Sequence, residues 1–263
     1  MKRKYLMLLL ILVMVVAAGC NGDGNETKEE SKWKDGTYFA TYSHTDGHNW
    51  RPYLTIIIAD GKIESGWMDY QKPDGTIKSK DEGYGERMLE CTGVEPTEVY
   101  TSFNDDFIKN QDLAKVDAVS GASHSSHEVQ EMGAALLKKA ETGDTSEIVL
   151  EMDNTYKASN PEFDDHGWKG SVALTYEGGK ITAVAYEETN EDGIKKSEDE
   201  GYNERFQSTD GLSVAEVYEA LATQMVVTQD SDAVDAVAGA TGASDNFKDL
   251  VKEAMAKRVP YAK

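Results

Sequence analysis

Two segments carry residue types suited to chemistry at a hydroxyl group. They are Asp117-Ala118-Val119-Ser120-Gly121-Ala122-Ser123-His124-Ser125 and Asp235-Ala236-Val237-Ala238-Gly239-Ala240-Thr241-Gly242-Ala243. In each, a Gly-Ala pair leaves no bulk beside the hydroxyl that follows, Ser123 or Thr241, so a large group can approach the backbone. Each hydroxyl lies just ahead of a predicted helix. The first turn of a helix offers unpaired N–H groups and the positive end of the dipole, a ready site for a phosphate. Ser125-x-x-Glu128 reads as an additional capping signal in the first segment. Other chemistries lack their patterns. His124-x-x-His127 has no partners at zinc spacing, and no calcium loop of known spacing emerges. There is no G-x-S-x-G elbow, and neither a G-x-G-x-x-G nor a Walker loop is present.

The elements that must position these hydroxyls occur twice, at a constant offset of 118 residues. Asp46-x-His48-x-Trp50 returns as Asp164-x-His166-x-Trp168, and the block from Lys78 to Arg87 returns from Lys196 to Arg205. Residues 37–139 align without a gap on 155–257, with 33 identities in 103 positions. Duplication is the only economical explanation, and the units are far longer than those of a solenoid. Within each copy, β-rich runs flank Asp60-Gly61 and Gly178-Gly179, the signature of a hairpin. Pro96 opens a helix in the first copy, and Ser213-x-x-Glu216 opens its counterpart, running to about Val227. Closing helices are predicted from Ser126 to Lys139 and from Asp245 to Lys257, and Glu147–Met152 as the first strand of the second domain. The expected class is α+β: two tandem homologous domains, each an antiparallel sheet with packed helices.

The N-terminus is of a different kind. Lys2, Arg3 and Lys4 precede an apolar run from Tyr5 to Ala18, then Gly19 and Cys20. This is the layout of an export signal, and its apolar part is short for a membrane span. Val16-Ala17-Ala18-Gly19-Cys20 resembles a bacterial lipobox, which implies cleavage before Cys20 and lipid on its sulfur. The expected organisation is a signal over 1–19, a lipidated tether over 20–33, and domains over 34–146 and 147–263. The whole chain carries 27 Lys and Arg against 48 Asp and Glu, a net charge of −21. Loss of residues 1–19 removes three positive charges and no negative ones, leaving −24. Nucleic acid is excluded as a partner, because phosphate binding needs a basic face. Cys91 is then the one free thiol outside the cell, with nothing to mark it as catalytic.

The motif D-x-x-[ST]-G-A-[ST] resembles the acceptor motif of FMN-binding domains, such as the flavin subunits of Rnf and sodium-translocating NADH:quinone reductase complexes. The resemblance implies FMN attached through its phosphate to Ser123 and Thr241 by a separate flavin transferase. It implies a recognition loop formed by Asp117, Ser120, Gly121 and Ala122, and by Asp235, Ala238, Gly239 and Ala240. Two departures stand out: Ser123 where Thr is commoner, and Ala238 where a hydroxyl is usual. Asp117 and Asp235 would bind Mg²⁺ or orient the hydroxyl during attachment, or else cap a turn. Tyr84 and Tyr202 would lie against the flavin ring, and Arg87 and Arg205 would balance its reduced, anionic form; the alternative is a structural turn. His48 and His166 would line the flavin site, or pack with their tryptophans.

The lipobox, tether and two such domains together resemble the flavinylated lipoproteins of Gram-positive extracellular electron transfer. The implied role is that of a carrier on the outer face of the cell membrane, more a redox shuttle than an enzyme with its own substrate pocket. Electrons would come from a membrane quinol or NADH dehydrogenase system and pass to ferric iron or soluble flavins. The alternative is a surface lipoprotein without flavin that binds a ligand or partner.

Overall fold

The computed structural model describes residues 32–262. Cys20, the signal and most of the tether lie outside the described residues. The first repeat opens with β1 (Gly36–Tyr42), β2 (Arg51–Ala59) and β3 (Lys62–Gln71). A 3-10 turn at Lys78–Lys80 leads into α1 (Glu82–Thr92), α2 (Pro96–Asn110) and α3 (Ser123–Thr142). After β4 (Ile148–Leu150), the second repeat gives β5 (Thr155–Ser159), β6 (Lys169–Glu177) and β7 (Lys180–Thr189). A 3-10 turn at Lys196–Glu198 leads into α4 (Glu200–Asp210), α5 (Val214–Thr228) and α6 (Thr241–Ala256). The class is α+β.

Period-two burial shapes both sheets. Leu54, Ile56 and Ile58 of β2 point inward, as do Val172, Leu174 and Tyr176 of β6. The hairpins turn where the sequence predicts. Asp60 and Gly61 have φ of 49° and 68°, and Gly178 and Gly179 of 57° and 75°. Positive φ at both positions gives the turn whose twist suits a hairpin. A bulge then shifts the register between Ile57 and Ile58, and between Thr175 and Tyr176, at matching places. One face of each sheet is covered by helices: α2 on β3 and α3 on β1 and β2, with α5 on β7 and α6 on β5 and β6. Each repeat has its own apolar core.

Three expectations need correction. Glu147–Met152 does not open the second sheet: β4 pairs in parallel with β1, Ala40 opposite Ile148, so the first sheet runs β3-β2-β1-β4 and is not wholly antiparallel. The second sheet is β5-β6-β7, antiparallel throughout. Both closing helices start earlier than predicted, at Ser123 and Thr241 themselves. Ser125 and Glu128 therefore lie inside α3 and form no capping box. The Asp81 and Asp199 blocks are neither turns nor loops; they open α1 and α4. Each aspartate Oδ1 accepts the N–H three residues on, from Tyr84 at 3.0 Å and from Tyr202 at 2.8 Å, an N-cap followed by an acidic residue.

The repeats share one compact unit, Ser31–Lys263. The chain beyond α6 returns to the first repeat, where Tyr261 N–H donates to Ser43 O at 2.7 Å and Thr45 N–H to Val259 O at 2.9 Å. Tyr156 Oη donates to Thr45 O at 2.5 Å. Among the described residues, no helix is long and apolar enough to cross a membrane.

Candidate functional site

The loop before each closing helix is fixed by backbone geometry and by one serine. Gly121 and Gly239 have φ of 84° and 78°, a region that disfavours side chains. A Cβ on Gly121 would also lie 2.6 Å from Thr92 Cβ, so this glycine lets the loop close on the end of α1. Ser126 Oγ donates to Ala122 O at 3.1 Å, and Ser244 Oγ to Ala240 O at 2.8 Å. The same hydroxyls accept from Val119 N–H at 3.4 Å and Val237 N–H at 3.1 Å. The clasp binds the loop to the helix in both copies. The sequence marks Ser126 only as a helix start and passes over Ser244; the signal they offer is identity at offset 118.

Ala122 and Ala240 are the N-caps and contribute no side-chain cap. Ser123 and Thr241 are the first helical residues, and both are exposed. Ser123 borders a cleft, and Thr241 lies in the chain between residues that border one, Ala240 and Gly242. In the second repeat a cavity of about 570 Å³ is bordered by Gly239, Ala240 and Gly242, and walled by Phe163, His166, Trp168, Tyr202 and Phe206. A Cβ on Gly242 would meet nothing within 4 Å, so the space beside Thr241 is open. In the first repeat two adjoining recesses of about 300 and 380 Å³ share Asp46, His48, Lys78 and Tyr84. Gly121, Ala122 and Ser123 border one of them and Arg87 the other.

Asp46 and Asp164 build the opposite wall. Asp46 Oδ1 accepts from His48 N–H and Trp50 N–H, both at 2.8 Å. Asp164 Oδ1 accepts from His166 N–H at 2.9 Å and Trp168 N–H at 2.8 Å. This local side-chain bonding turns each histidine toward the cleft and buries each tryptophan. Trp50 then meets Tyr84 edge to face with centroids 5.8 Å apart, and Trp168 meets Tyr202 likewise at 5.8 Å. Histidine, tyrosine and tryptophan thus all border the cleft, the buried tryptophans also bracing it.

Other predicted residues stand apart. Asp117 and Asp235 are exposed and border neither cleft. Their backbone N–H groups are held by Asp106 Oδ2 at 3.0 Å and Gln224 Oε1 at 2.8 Å. No cluster of three or more metal-ligating His, Cys, Asp or Glu side chains occurs among the described residues. Ser120 and Ala238 are exposed on the loop. Arg205 is exposed and does not border the second cleft, unlike Arg87 in the first. Cys91 is free and exposed.

The cleft floors hold what the sequence did not single out. Lys78, from the 3-10 turn, lies with Nζ 3.7 Å from the Tyr70 ring centroid and 4.7 Å from that of Tyr84, a cation over aromatic faces. Its counterpart Lys196 is 4.9 Å from the Tyr202 ring and ion-pairs with Glu188 at 2.6 Å. In the first repeat the acid comes from a helix: the Tyr70 hydroxyl donates to Glu128 and lies 2.7 Å from Ser125 Oγ. Burial pushes the Glu128 carboxyl up to about 8, against the pull of the Tyr70 bond. Burial also raises Glu188, but bonds from Lys196 and Tyr186 outweigh it and hold that carboxyl below its ordinary range.

An exposed hydroxyl on a side-chain-free helix start, an aromatic cleft beside it and a lysine on the floor fit a phosphate-bearing group with a flat ring. The 15 kDa lipoprotein of Treponema pallidum (strain Nichols) is 32% identical over 115 residues, covering 44% of this chain and 82% of that protein. A crystal structure of a Clostridium perfringens protein is 27% identical with a TM-score of 0.44, covering 46% of this chain and 99% of that one. A solution structure of a Clostridium thermocellum protein is 26% identical with a TM-score of 0.29, covering 42% of this chain and 96% of that one. Residues 167–256, which span the second cleft and its closing helix, match the FMN-binding domain. The chain belongs to the FMN-binding domain family.

Proposed function

We propose that the chain is an exported, lipid-anchored electron carrier built of two FMN-binding domains, with FMN joined covalently through its phosphate to Ser123 and to Thr241. One observation carries this reading: at matching positions of both repeats, an exposed hydroxyl opens a helix whose first residues border an aromatic cleft. The uncapped first turn of α3 or α6 would receive the phosphate through backbone N–H groups. His48 with Tyr84, and His166 with Tyr202, would hold the ring, and the braced tryptophans would fix their orientation. FMN exchanges one or two electrons, and so joins a two-electron donor to one-electron acceptors. The residues of the chain supply attachment, orientation and field.

A flavin transferase would attach the group, and a membrane quinol or NADH dehydrogenase system would reduce it. Ferric iron or soluble flavins outside the cell would receive the electrons. Cys20 would carry the lipid, in keeping with the lipoprotein relative. The charge of −24 on the exported part would keep the body off an anionic envelope.

The test is a denaturing gel of protein purified from cells that contain the transferase. A fluorescent flavin band is expected, and its absence would sink the carrier reading. By mass, Ser123→Ala and Thr241→Ala should each lack one FMN, and an unchanged mass in either variant refutes that attachment point.

A further inference from the structure

Reduction places negative charge on a flavin ring, so the charge of its surroundings sets how readily it accepts an electron. The two cleft floors differ in this respect. In the first, Lys78 makes no ion pair among the described residues, because position 70 is tyrosine and Glu128 is engaged by the hydroxyl of that tyrosine. In the second, position 188 is glutamate and Lys196 is neutralised by it at 2.6 Å. Position 128 becomes Asn246, whose Nδ2 donates to Glu188 Oε1 at 3.3 Å.

The walls extend the contrast. The first cleft is bordered by Lys72, Lys78 and Arg87 against Asp46, and burial favours the neutral form of the Glu128 carboxyl beneath its floor. Asp81 compensates Lys72 at 3.3 Å, so the surplus rests on Lys78 and Arg87. The second cleft is bordered by Glu162, Asp164 and Glu188 against Lys196 alone. The first floor is thus net positive and the second cleft net negative. His48, His124 and His166 also face the clefts, and His124 Nε2 lies 3.5 Å from Glu128 Oε1.

We propose that the two sites are electrically unequal by construction, with Lys78 raising the flavin potential in the first cleft and Glu188, by cancelling Lys196, keeping it low in the second. The inference rests on the flavin reading above and goes beyond it. An electron shared between the two flavins leaves the one at Thr241 oxidised by one electron and the one at Ser123 reduced by one. It therefore rests in the first cleft. The protein is then a directional pair rather than two equivalent stores.

The test is spectroelectrochemical titration of the full flavin-loaded chain and its single-site variants. Thr241→Ala retains only the first flavin and Ser123→Ala only the second. The first should titrate at higher potential, with a bias of at least about tenfold, equivalent to about 59 mV for one electron. Lys78→Gln should lower the first midpoint and leave the second unchanged. Glu188→Gln, which frees Lys196, should raise the second and leave the first unchanged, so the assignment stays testable if either variant fails to fold. Coincident or reversed midpoints in the single-site variants overturn the proposal. Midpoints that ignore both substitutions overturn the assignment to these residues. A denatured band without flavin fluorescence defeats the carrier reading itself, and the proposal falls with it. Flavin present with equal potentials defeats only the proposal.

Discussion

Position 66 is glycine in the first repeat, and its counterpart 184 is valine in the second. A Cβ at 66 would lie 2.5 Å from the Phe107 ring, but the counterpart of Phe107 is Met225, which is slimmer and adaptable. Across the two cores Leu54 becomes Val172, Met68 becomes Tyr186, Phe103 becomes Leu221 and Val129 becomes Phe247, all buried in both. Identity survives elsewhere: at the caps Asp81 and Asp199, the left-handed helix ends Gly93 and Gly211, and Gln111 and Gln229. A core accepts exchange when volume is redistributed. A cap or a positive φ accepts only residues that supply a particular bond or backbone state. At these positions the duplicate cores have drifted apart while the caps and helix ends have not.

The largest effect should come from forcing one core into the other's solution. Gly66→Val should destabilise the chain by about 3 kcal/mol, near the upper end for overpacking, in denaturant unfolding. Adding Phe107→Met should recover most of that loss. A double variant no better than the single would break the argument that these two positions exchange volume.

Next come the glutamines. Gln111 Oε1 accepts from Ile63 N–H at 2.7 Å, and its Nε2 donates to Ile63 O at 2.9 Å. Gln229 makes the same two bonds to Ile181 at 2.8 Å each. Each clamps the end of a helix to the strand after the hairpin. Replacement by alanine should cost about 2 kcal/mol in either repeat. Unequal losses would show that the clamps are not equivalent. Removing the caps, by Asp81→Ala or Asp199→Ala, should cost about 1 kcal/mol each, read from the same unfolding curves.

The last comparison is a slope with pH, and here the repeats should differ in sign. Glu128 has its folded value raised from 4.5 to about 8, so the folded state holds the proton more tightly. Its contribution is present below about pH 4.5 and is lost as pH rises towards 8. Glu188 is held below 4.5, so its contribution is present above that value and is lost as pH falls. Glu128→Gln should flatten the decline in stability between pH 5 and 8. An unchanged slope would show that Glu128 is not the group responsible.

Several elements were missed for definite reasons. α1 and α4 each carry glycine in the first turn, Gly83 and Gly201, and glycine weakens a helix reading; the N-capping aspartates prevail. The closing helices reach back to Ser123 and Thr241 because Ser126 and Ser244 bond the loop into the first turn, a tertiary economy invisible in local propensity. Nothing in Ile148–Leu150 says which sheet it joins, since an apolar run of three fits either edge.

The duplication, the hairpins, the α+β class, the two hydroxyls ahead of helix starts and the resemblance to FMN-binding domains are legible in the residues alone. These features rest on local rules: spacing, turn chemistry and helix starts depend on a few neighbouring residues. What lies beneath each site comes from the packing of sheet and helix. Lys78 and Tyr70 are distant from Glu128 in the chain, and whether a buried lysine meets a carboxylate or an aromatic ring depends on which side chains the packed sheet and helix bring within a few ångströms. Asp117 and Asp235, close to the hydroxyls in sequence, border neither cleft, while Lys78 and Lys196, far away in sequence, form the cleft floors. Field and desolvation are three-dimensional properties, so the charge that tunes a site is set by the fold.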